Sequence, residues 1–375
     1  MSAVLFNSHS TADGQIIMEV VLNAERSLNA LSLEMIGLIG ARLTQWEGDD
    51  QVRAVVLRGA GSKAFCAGGD VVALYHALKS GSDRDTARRY FEAEYRLDYQ
   101  LHTYSKPLIC WGDGIVMGGG MGLLSGCSQR VVTEHSMLAM PEVTIGLFPD
   151  VGASWFLNRL PGRLGLFLAM TGNPVNAADA IYLGLADRFI TSDRYAFMLE
   201  QLCEQVWTGE DAERLVSRVL RTLEAESKSQ FSPHSPVRDH FDLIQDITDQ
   251  DSVDAVVEAL LATETNDKWI ERAQNAVRKG SALSLWLIDR QLRRCRSLSL
   301  RECFAEELNL AVQCALHREF SEGVRALLVD KDRKPQWTFA SAGGVSKQAV
   351  DQFFEPVWPE SPLADLPKPD DVVAD

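Results

Sequence analysis

Apolar and polar positions in the first half of the chain alternate between strand-like runs and helix-like spacing. Short apolar runs, the first of them rich in β-branched residues, predict strands over 16–22, 52–57, 108–111 and 129–133. After the first run, apolar residues recur near a 3.6-residue period, which predicts a helix that begins after Ser32, a favourable N-cap. A charged helix is predicted over 84–103. This alternation predicts an α/β protein in which helices pack on sheets.

The strand pattern fades after about residue 195, and helical spacing replaces it. Long helices are predicted over 195–207, 211–225, 252–263, 281–296 and 300–316. Prolines at 356, 359, 362, 367 and 369 predict an irregular end to the chain. The predicted organisation is an α/β core with the candidate site over 1–200, a helical region over 201–340 packed on it, and a proline-rich irregular tail over 341–375.

Charge and composition restrict the partners. The chain has 375 residues, with 37 Lys and Arg against 52 Asp and Glu, so its formal net charge is −15. That balance argues against binding to nucleic acid or to an anionic membrane surface. No apolar run is long enough for a transmembrane helix, and the N-terminus lacks the features of a secretion signal or transit peptide. The seven cysteines form no CxxC pair, so we expect reduced thiols and a cytoplasmic location.

Motif searches remove several classes of enzyme. The sequence contains no HExxH pair, no Walker A loop and no GxSxG elbow. Zinc hydrolase, P-loop NTPase and α/β-hydrolase mechanisms are therefore not indicated, and no metal site is predicted.

Two glycine-rich segments each follow a predicted strand. In residues 63–70, Gly68 and Gly69 can leave backbone N–H groups free, as an oxyanion hole requires, although an ordinary strand-to-helix turn is the alternative. In residues 112–122, the glycines at 118–120 precede an apolar stretch and predict a helix N-terminus. Its N–H groups and dipole would favour incipient negative charge, while tight helix packing without a ligand is the alternative.

A third segment, residues 140–152, carries two carboxylates in apolar surroundings. Glu142 and Asp150 lie eight residues apart among Ile145, Leu147 and Phe148. Partial desolvation would suit either carboxylate for acid–base or nucleophilic work. A helix cap or a surface carboxylate is the alternative for each.

Together the three segments resemble the crotonase superfamily, the enoyl-CoA hydratase/isomerase family, over most of residues 15–200. The sequence LNAL at 28–31 is similar to the family's N-terminal signature, AFCAGGD at 64–70 to its first oxyanion loop, and GGG at 118–120 to its second. The resemblance implies an α/β fold of the crotonase type, a spiral of ββα units, with a helical C-terminal part.

Within the family, residues 140–172 and 319–337 resemble the hydrolase branch that acts on 3-hydroxyisobutyryl-CoA. Hydratases of the family carry a catalytic glutamate at the position of Gly122, whereas Glu142 matches their second one. A single matching glutamate together with Asp150 is the hydrolase pattern. Asp113 departs from it, since many hydrolases of the group have histidine there.

The resemblance also implies roles for individual residues. The N–H groups of Gly69 and Gly119 would hold a thioester oxygen, Glu142 would act as nucleophile or general base, and Asp150 would orient the substrate hydroxyl or a water. The implied substrate-binding residues are Arg26, Ala67, Gly68, Asp70, Gly118 and Gly122. Arg26 would lie near the coenzyme phosphates, with a solvated surface charge as the alternative.

The implied activity is hydrolysis of a short 3-hydroxyacyl-CoA, either 3-hydroxyisobutyryl-CoA or 3-hydroxypropionyl-CoA, to the free acid and coenzyme A. Enoyl-CoA hydration or isomerisation is the alternative reaction, and a catalytically silent acyl-CoA-binding protein is the alternative of another class. Coenzyme A enters as part of the substrate, so we expect no separate cofactor. Relatives of this family often form homo-oligomers, which the resemblance extends to this chain as an expectation.

Overall fold

The predicted strands belong to one large sheet, and a second, smaller sheet lies beside it. The computed structural model describes residues 2–81 and 84–368. The strands of this part of the chain are β1 (Val4–Ser10), β2 (Ile16–Leu22), β3 (Val52–Gly59), β4 (Ala64–Cys66), β5 (Leu108–Gly112), β6 (Ile115–Met117), β7 (Gln129–Val132), β8 (Met137–Ala139) and β9 (Arg188–Phe189).

Successive strands from β3 onward alternate between the two sheets. The six-stranded sheet has the order β1-β2-β3-β5-β7-β9, and the three-stranded sheet has the order β4-β6-β8. Among the strands of the described residues, β1 and β2 pair antiparallel, and the other strand pairs are parallel. Each ββα unit therefore adds one strand to the larger sheet and one to the smaller sheet, and its helical part leads the chain back to the larger sheet. This arrangement confirms the predicted α/β class and its spiral of ββα units.

Helices occupy most of the rest of the described chain. Those of the first half are α1 (Leu33–Glu47), α2 (Val71–Gly81), α3 (Arg84–His102), α4 (Gly119–Gly126), α5 (Ala153–Phe156), α6 (Leu164–Thr171) and α7 (Ala177–Leu183). Those of the second half are α8 (Tyr195–Cys203), α9 (Ala212–Ser227), α10 (Pro236–Asp239), α11 (Phe241–Thr248), α12 (Val253–Ala262), α13 (Lys268–Lys279), α14 (Ala282–Cys295), α15 (Leu300–Leu316), α16 (Arg318–Val324) and α17 (Lys347–Asp351).

The larger sheet is buried on both faces, because side chains of its strands alternate between two hydrophobic cores. In β3, Val55 and Leu57 join the main core, whereas Ala54 and Val56 join a second one. Helices α8 and α9 cover that second core, with Trp207 fully buried in it. Burial on both faces explains why the sequences of these strands are nearly continuous runs of apolar residues.

The helical region after residue 200 shares the main core of the first half. Helix α15 begins at Ser299, whose side chain forms a capping box with Glu302. Phe304 of α15 packs against Tyr95 and Tyr99 of α3, with ring centroids 5.7 and 6.1 Å apart. The helical C-terminal part is thus continuous with the α/β core and reaches α3, a helix that lines the candidate site.

The proline-rich end of the chain holds little regular structure but is packed on the protein. Val350, Phe353, Leu363 and Leu366 are buried there. The Tyr99 hydroxyl donates to the carbonyl of residue 367 over 2.6 Å, which ties the segment to α3. Prolines interrupt helix and sheet, yet the apolar residues between them still bury surface. The last part of the predicted tail, residues 369–375, lies outside the described residues.

Candidate active site

The LNAL motif holds the first glycine loop in place. Asn29 lies in the left-handed region with φ 58°, and its side-chain amide donates to the carbonyls of Ala60 and Ala64 over 3.0 and 2.9 Å. The N–H of Leu31 donates to the carbonyl of Gly68 over 2.8 Å. These bonds fix the backbone on both sides of the loop, so the signature has a structural function.

Two glycine N–H groups meet beside this loop. Helix α4 begins at Gly119, so that residue's N–H has no intrahelical acceptor. A Cβ atom placed on Gly119 would lie 3.2 Å from the amide nitrogen of Gly69, which brings the two glycines side by side. In the described part of the chain, neither N–H donates to another group. Two adjacent free donors at a helix N-terminus are the arrangement that an oxyanion hole requires.

The surroundings of these glycines leave no room for a side chain. A Cβ atom on Gly69 would collide with the Tyr90 hydroxyl, which donates to the carbonyl of Leu31 over 3.0 Å. A Cβ atom on Gly119 would collide with a carboxylate oxygen of Glu94. Because both positions are glycine, α3 can pack directly against the backbone that carries the two N–H donors.

A cavity of about 330 Å³ opens in front of the two donors. It is lined by Ala67, Gly68, Gly69, Val71, Tyr90, Phe91, Glu94, Met117, Gly118, Gly119, Pro141, Glu142, Thr144, Ile145, Leu147, Asp150, Val151, Leu327 and Leu328. The last two follow α16 and are each 36% exposed. Exposed leucines at the edge of a cavity provide an apolar rim for a ligand that enters from solvent.

Glu142 and Asp150, the two predicted carboxylates, both face this cavity and are each 5% exposed. Burial, with the charge of Asp150 second, raises the pKa of Glu142 well above its usual range, and one of its oxygens has no hydrogen-bond partner among the described residues. Asp150 accepts a hydrogen bond from the Tyr95 hydroxyl over 2.7 Å. Burial raises the pKa of Asp150 to about 6, and the Tyr95 bond opposes that rise.

Glu94 of α3 is a third cavity carboxylate, which was not predicted from the sequence. It is 3% exposed, and its oxygen nearest Gly119 has no partner among the described residues. Burial raises its pKa well above the usual range, and the charge of Asp150 adds to the effect. The sequence did contain a signal for this residue. Glu94 lies four residues after Tyr90 and four before Asp98, so all three lie on one face of α3, and the rest of that face is apolar.

Asp98 and Gly122 lie behind the cavity. Both carboxylate oxygens of Asp98 are buried without a hydrogen-bond partner in the described residues, and burial raises its pKa well above the usual range. A Cβ atom on Gly122 would lie 2.8 Å from Cβ of Val151 and 2.9 Å from either oxygen of Asp98. The position at which family hydratases carry a glutamate therefore has no space for one here.

The other predicted binding residues divide into two groups. Ala67, Gly68 and Gly118 line the cavity, whereas Arg26 and Asp70 are not among the lining residues. Arg26 is exposed on a short 3₁₀ turn, Glu25–Ser27. Asp70 accepts a hydrogen bond from the N–H of Ala73 over 3.0 Å at the start of α2, which is the geometry of a helix cap.

Asp113, the departure from the hydrolase pattern, lies outside the cavity lining. Its carboxylate accepts a hydrogen bond from the Thr133 hydroxyl over 2.6 Å and lies 3.3 Å from Nδ1 of His135. These contacts tie the β5–β6 turn to the end of β7. The role that the structure gives Asp113 is therefore support of the scaffold.

Within residues 2–81 and 84–368, no group of His, Cys, Asp and Glu side chains has the geometry of a metal site. The same residues include no helix with the length and apolar character needed to cross a membrane.

Comparison with known proteins agrees with this geometry. The sequence profile of the enoyl-CoA hydratase/isomerase family matches residues 17–354. A relative from Gallus gallus named 3-hydroxyisobutyryl-CoA hydrolase, mitochondrial, is 37% identical over 339 residues, which are 90% of this chain and 86% of the relative. The Arabidopsis thaliana protein named 3-hydroxyisobutyryl-CoA hydrolase 1 is 36% identical over 92% of this chain and 90% of its own length.

Solved structures with the same fold carry other names. A structure described as a carnitinyl-CoA dehydratase from Mycobacterium thermoresistibile is 34% identical, with a TM-score of 0.85 over 97% of this chain and 100% of that one. One described as an enoyl-CoA hydratase from Rhodobacter sphaeroides 2.4.1 is 30% identical, with a TM-score of 0.82 over 95% and 98%. The names of these relatives and structures describe different reactions, but each name includes an acyl-CoA. The two solved structures share the fold of this chain. The resemblance predicted from three short segments is confirmed, and the chain belongs to the enoyl-CoA hydratase/isomerase family.

Proposed function

We propose that this protein is a thioesterase that hydrolyses a short 3-hydroxyacyl-CoA, with 3-hydroxyisobutyryl-CoA as the first candidate and 3-hydroxypropionyl-CoA as the second. The observation that carries the proposal is the pair Glu142 and Asp150, which face a cavity backed by two free N–H donors. The names of the relatives from Gallus gallus and Arabidopsis thaliana support the same reaction.

The first step places the thioester carbonyl oxygen between the N–H groups of Gly69 and Gly119. Negative charge develops on this oxygen when the carbonyl carbon is attacked, and each such donor typically contributes 10²–10³ in rate, about 2.7–4 kcal/mol. Glu142 either attacks the carbon to form an anhydride or removes a proton from the attacking water. The C–S bond then breaks, and the coenzyme A thiolate leaves with a proton. In the anhydride route, water then cleaves the anhydride, which releases the hydroxy acid and restores the Glu142 carboxylate.

The two cavity carboxyls can supply and receive that proton. Burial raises the pKa of Asp150 to about 6, so this carboxyl is mostly ionised at pH 7, and burial together with the charge of Asp150 raises the pKa of Glu142. Carboxyls whose pKa values are separated by their surroundings can act as an acid and a base in one cycle. Ionised Glu142 therefore acts as nucleophile or base, Asp150 can exchange a proton with it, and one proton reaches the leaving thiolate.

Asp150 also provides a reason for preferring a hydroxylated substrate. Its carboxylate has one oxygen occupied by Tyr95, which leaves acceptor capacity for a substrate hydroxyl. A site that binds a hydroxyl penalises the analogue lacking it, because its buried polar group is left unpaired. We expect isobutyryl-CoA to be hydrolysed much more slowly than its 3-hydroxy form.

Enoyl-CoA hydration is the second candidate, and Glu94 is the observation that favours it. Hydration in this family uses two carboxylates, and Glu94 supplies a second one beside Gly119 although Gly122 does not. The names of the two solved structures agree with that reaction. A catalytically silent acyl-CoA-binding protein remains the alternative of another class, but this chain retains both N–H donors and three cavity carboxylates.

The test is Glu142→Gln, assayed by release of free thiol from 3-hydroxyisobutyryl-CoA. The amide fills the same space but cannot act as base or nucleophile, so we expect a loss of at least about 10²-fold with coenzyme A binding retained. Glu210→Gln, which changes an exposed carboxylate, is the matched control and should keep wild-type activity. More than about a tenth of the wild-type rate in Glu142→Gln would contradict the assignment, since removal of a catalytic base costs more than that.

Three predictions remain untested by these observations. The cytoplasmic location stays a prediction, because the relative from Gallus gallus is named as mitochondrial. The homo-oligomer and the absence of a separate cofactor also stay predictions.

A further inference from the structure

The turn that carries Asp150 has an unusual backbone. Val151, the next residue, has a φ of 53°, and Gly152 follows with a φ of 85°. A β-branched residue in the left-handed region is rare and strained, so such a turn persists only when its surroundings hold it. Val151 and Gly152 are both buried, which places the groups that hold the turn inside the protein.

The carboxylate of Glu307, from α15, binds the far end of this turn. One of its oxygens accepts the N–H of Gly152 over 2.7 Å, and the other accepts the N–H of Ser154 over 2.8 Å. Glu307 is fully buried. Helix α5 begins at this point, and its N-cap residue, Gly152, has no side chain to cap it. Glu307 thus supplies from another helix the cap that the local sequence lacks.

The same helix also supports the hydrogen-bond partner of Asp150. Phe304, one turn earlier in α15, packs against the ring of Tyr95. A Cβ atom on Gly152 would lie 3.1 Å from the end of the Phe304 ring, so that ring also closes against the turn. Helix α15 therefore contacts both the segment that carries Asp150 and the tyrosine that binds its carboxylate.

We propose that Glu307 is a positioning residue for the reaction, holding the strained turn so that the Asp150 carboxylate stays on the Tyr95 hydroxyl and faces the cavity. Glu307 itself is not among the residues that line the cavity. The proposal rests on the proposed function for the role of Asp150. It assigns a part in the chemistry to the helical C-terminal region, which supplies no catalytic group of its own.

The first test is Glu307→Gln. The amide keeps the volume of the carboxyl, but its NH₂ group faces one of the two N–H donors and cannot accept from it. A small misplacement of a catalytic group costs up to about 10²-fold in rate, so we expect kcat to fall by about 10- to 100-fold while KM changes less than about threefold. Wild-type kcat in this variant would overturn the proposal.

Asp179→Asn is the matched control, because Asp179 is also a buried carboxylate that caps backbone N–H groups. It accepts the N–H of Val237 over 3.0 Å and that of Asn176 over 3.2 Å, and it does not line the cavity. We expect this variant to lower the melting temperature with wild-type kcat at temperatures where it is folded. An equal fall of kcat in both variants would show a general effect of weakened packing and overturn the specific role of Glu307.

A double variant separates positioning from general damage. Residues that act as one unit lose activity in a non-additive way. In an Asp150→Asn background, adding Glu307→Gln should change kcat by less than about twofold, since the group being positioned is already gone. Fully multiplicative losses would mean that Glu307 acts independently of Asp150, and the proposal would be wrong.

A structural measurement keeps this proposal distinct from the proposed function. If the wild-type protein releases thiol from no acyl-CoA, the thioesterase assignment fails, but the positioning claim is still testable in crystals of the variants. We expect the 2.7 Å contact between Tyr95 and Asp150 to be lost in Glu307→Gln and kept in Asp179→Asn. An unchanged contact in Glu307→Gln would refute the positioning claim alone.

Discussion

Replacing Tyr95 by phenylalanine tests the electrostatics of the site with a single-atom change. The hydroxyl donates to Asp150 over 2.7 Å, and both residues are buried. The ring contacts with Phe91 and Phe304, at centroid distances of 5.9 and 5.7 Å, would be kept. Burial raises the pKa of Asp150 to about 6, and the Tyr95 bond lowers it, so removing the bond should raise it further.

The size of the shift follows from the strength of the lost bond. A hydrogen bond to a charged group contributes about 1.5–3 kcal/mol, and one pKa unit corresponds to about 1.36 kcal/mol. The pKa of Asp150 should therefore rise by about one to two units. Because the reaction requires ionised Asp150, its rate rises with pH, and the acid limb of kcat/KM should move upward by the same amount. The variant's deficit should be large at pH 6 and small at pH 9.

The assay is the initial rate of thiol release from 3-hydroxyisobutyryl-CoA over that pH range. Tyr99→Phe is the control, since Tyr99 lies one turn further along α3 and donates to the carbonyl of residue 367 instead. Its acid limb should coincide with that of the wild-type protein. An acid limb in Tyr95→Phe that stays within about 0.3 pH unit of the wild-type limb would refute the reasoning, because it would mean a bond strength below the usual range.

Two further predictions concern the other carboxylates. Asp150→Asn should slow hydrolysis substantially, and its combination with Glu142→Gln should be little worse than Glu142→Gln alone, whereas fully multiplicative losses in kcat would show independent roles. The melting temperature of Asp98→Asn, relative to that of the wild type, should increase as the pH is raised from 6 to 9. In the unfolded chain Asp98 is ionised throughout this range, since an exposed aspartate has a pKa of about 3.9. The folded group keeps its proton because burial raises its pKa, so Asp98 makes wild-type stability fall with pH, and the variant lacks that contribution. An equal difference in melting temperature between variant and wild type at pH 6 and at pH 9 would count against a raised pKa for Asp98.

The longer elements were predictable because their own residues specify them. The helix over Leu300–Leu316 has the predicted bounds, since a capping box starts it and its apolar period is regular. The strand Ile16–Leu22 is likewise as predicted, because burial requires a run of apolar residues. Helix α4 begins at Gly119, where a glycine run precedes an apolar stretch.

Other elements depend on distant parts of the chain. The strands Ala64–Cys66, Ile115–Met117 and Met137–Ala139 are three residues long, too short for a periodic pattern, and exist because they pair with each other. In the site, Glu142 and Asp150 were found because they lie in one short segment. Glu94 and Glu307 were missed, since the packing of α3 and α15 brings them to residues that are remote in sequence.

The most direct test of the thioesterase assignment compares two reactions on one preparation of the wild-type protein. Thiol release is followed with 3-hydroxyisobutyryl-CoA, and loss of enoyl absorbance is followed with crotonyl-CoA. We predict rapid thiol release and scarcely any hydration, because there is no space at Gly122 for the glutamate that family hydratases carry at that position. Rapid hydration of crotonyl-CoA without thiol release would contradict the assignment and would make Glu94 and Glu142 the carboxylates of a hydratase.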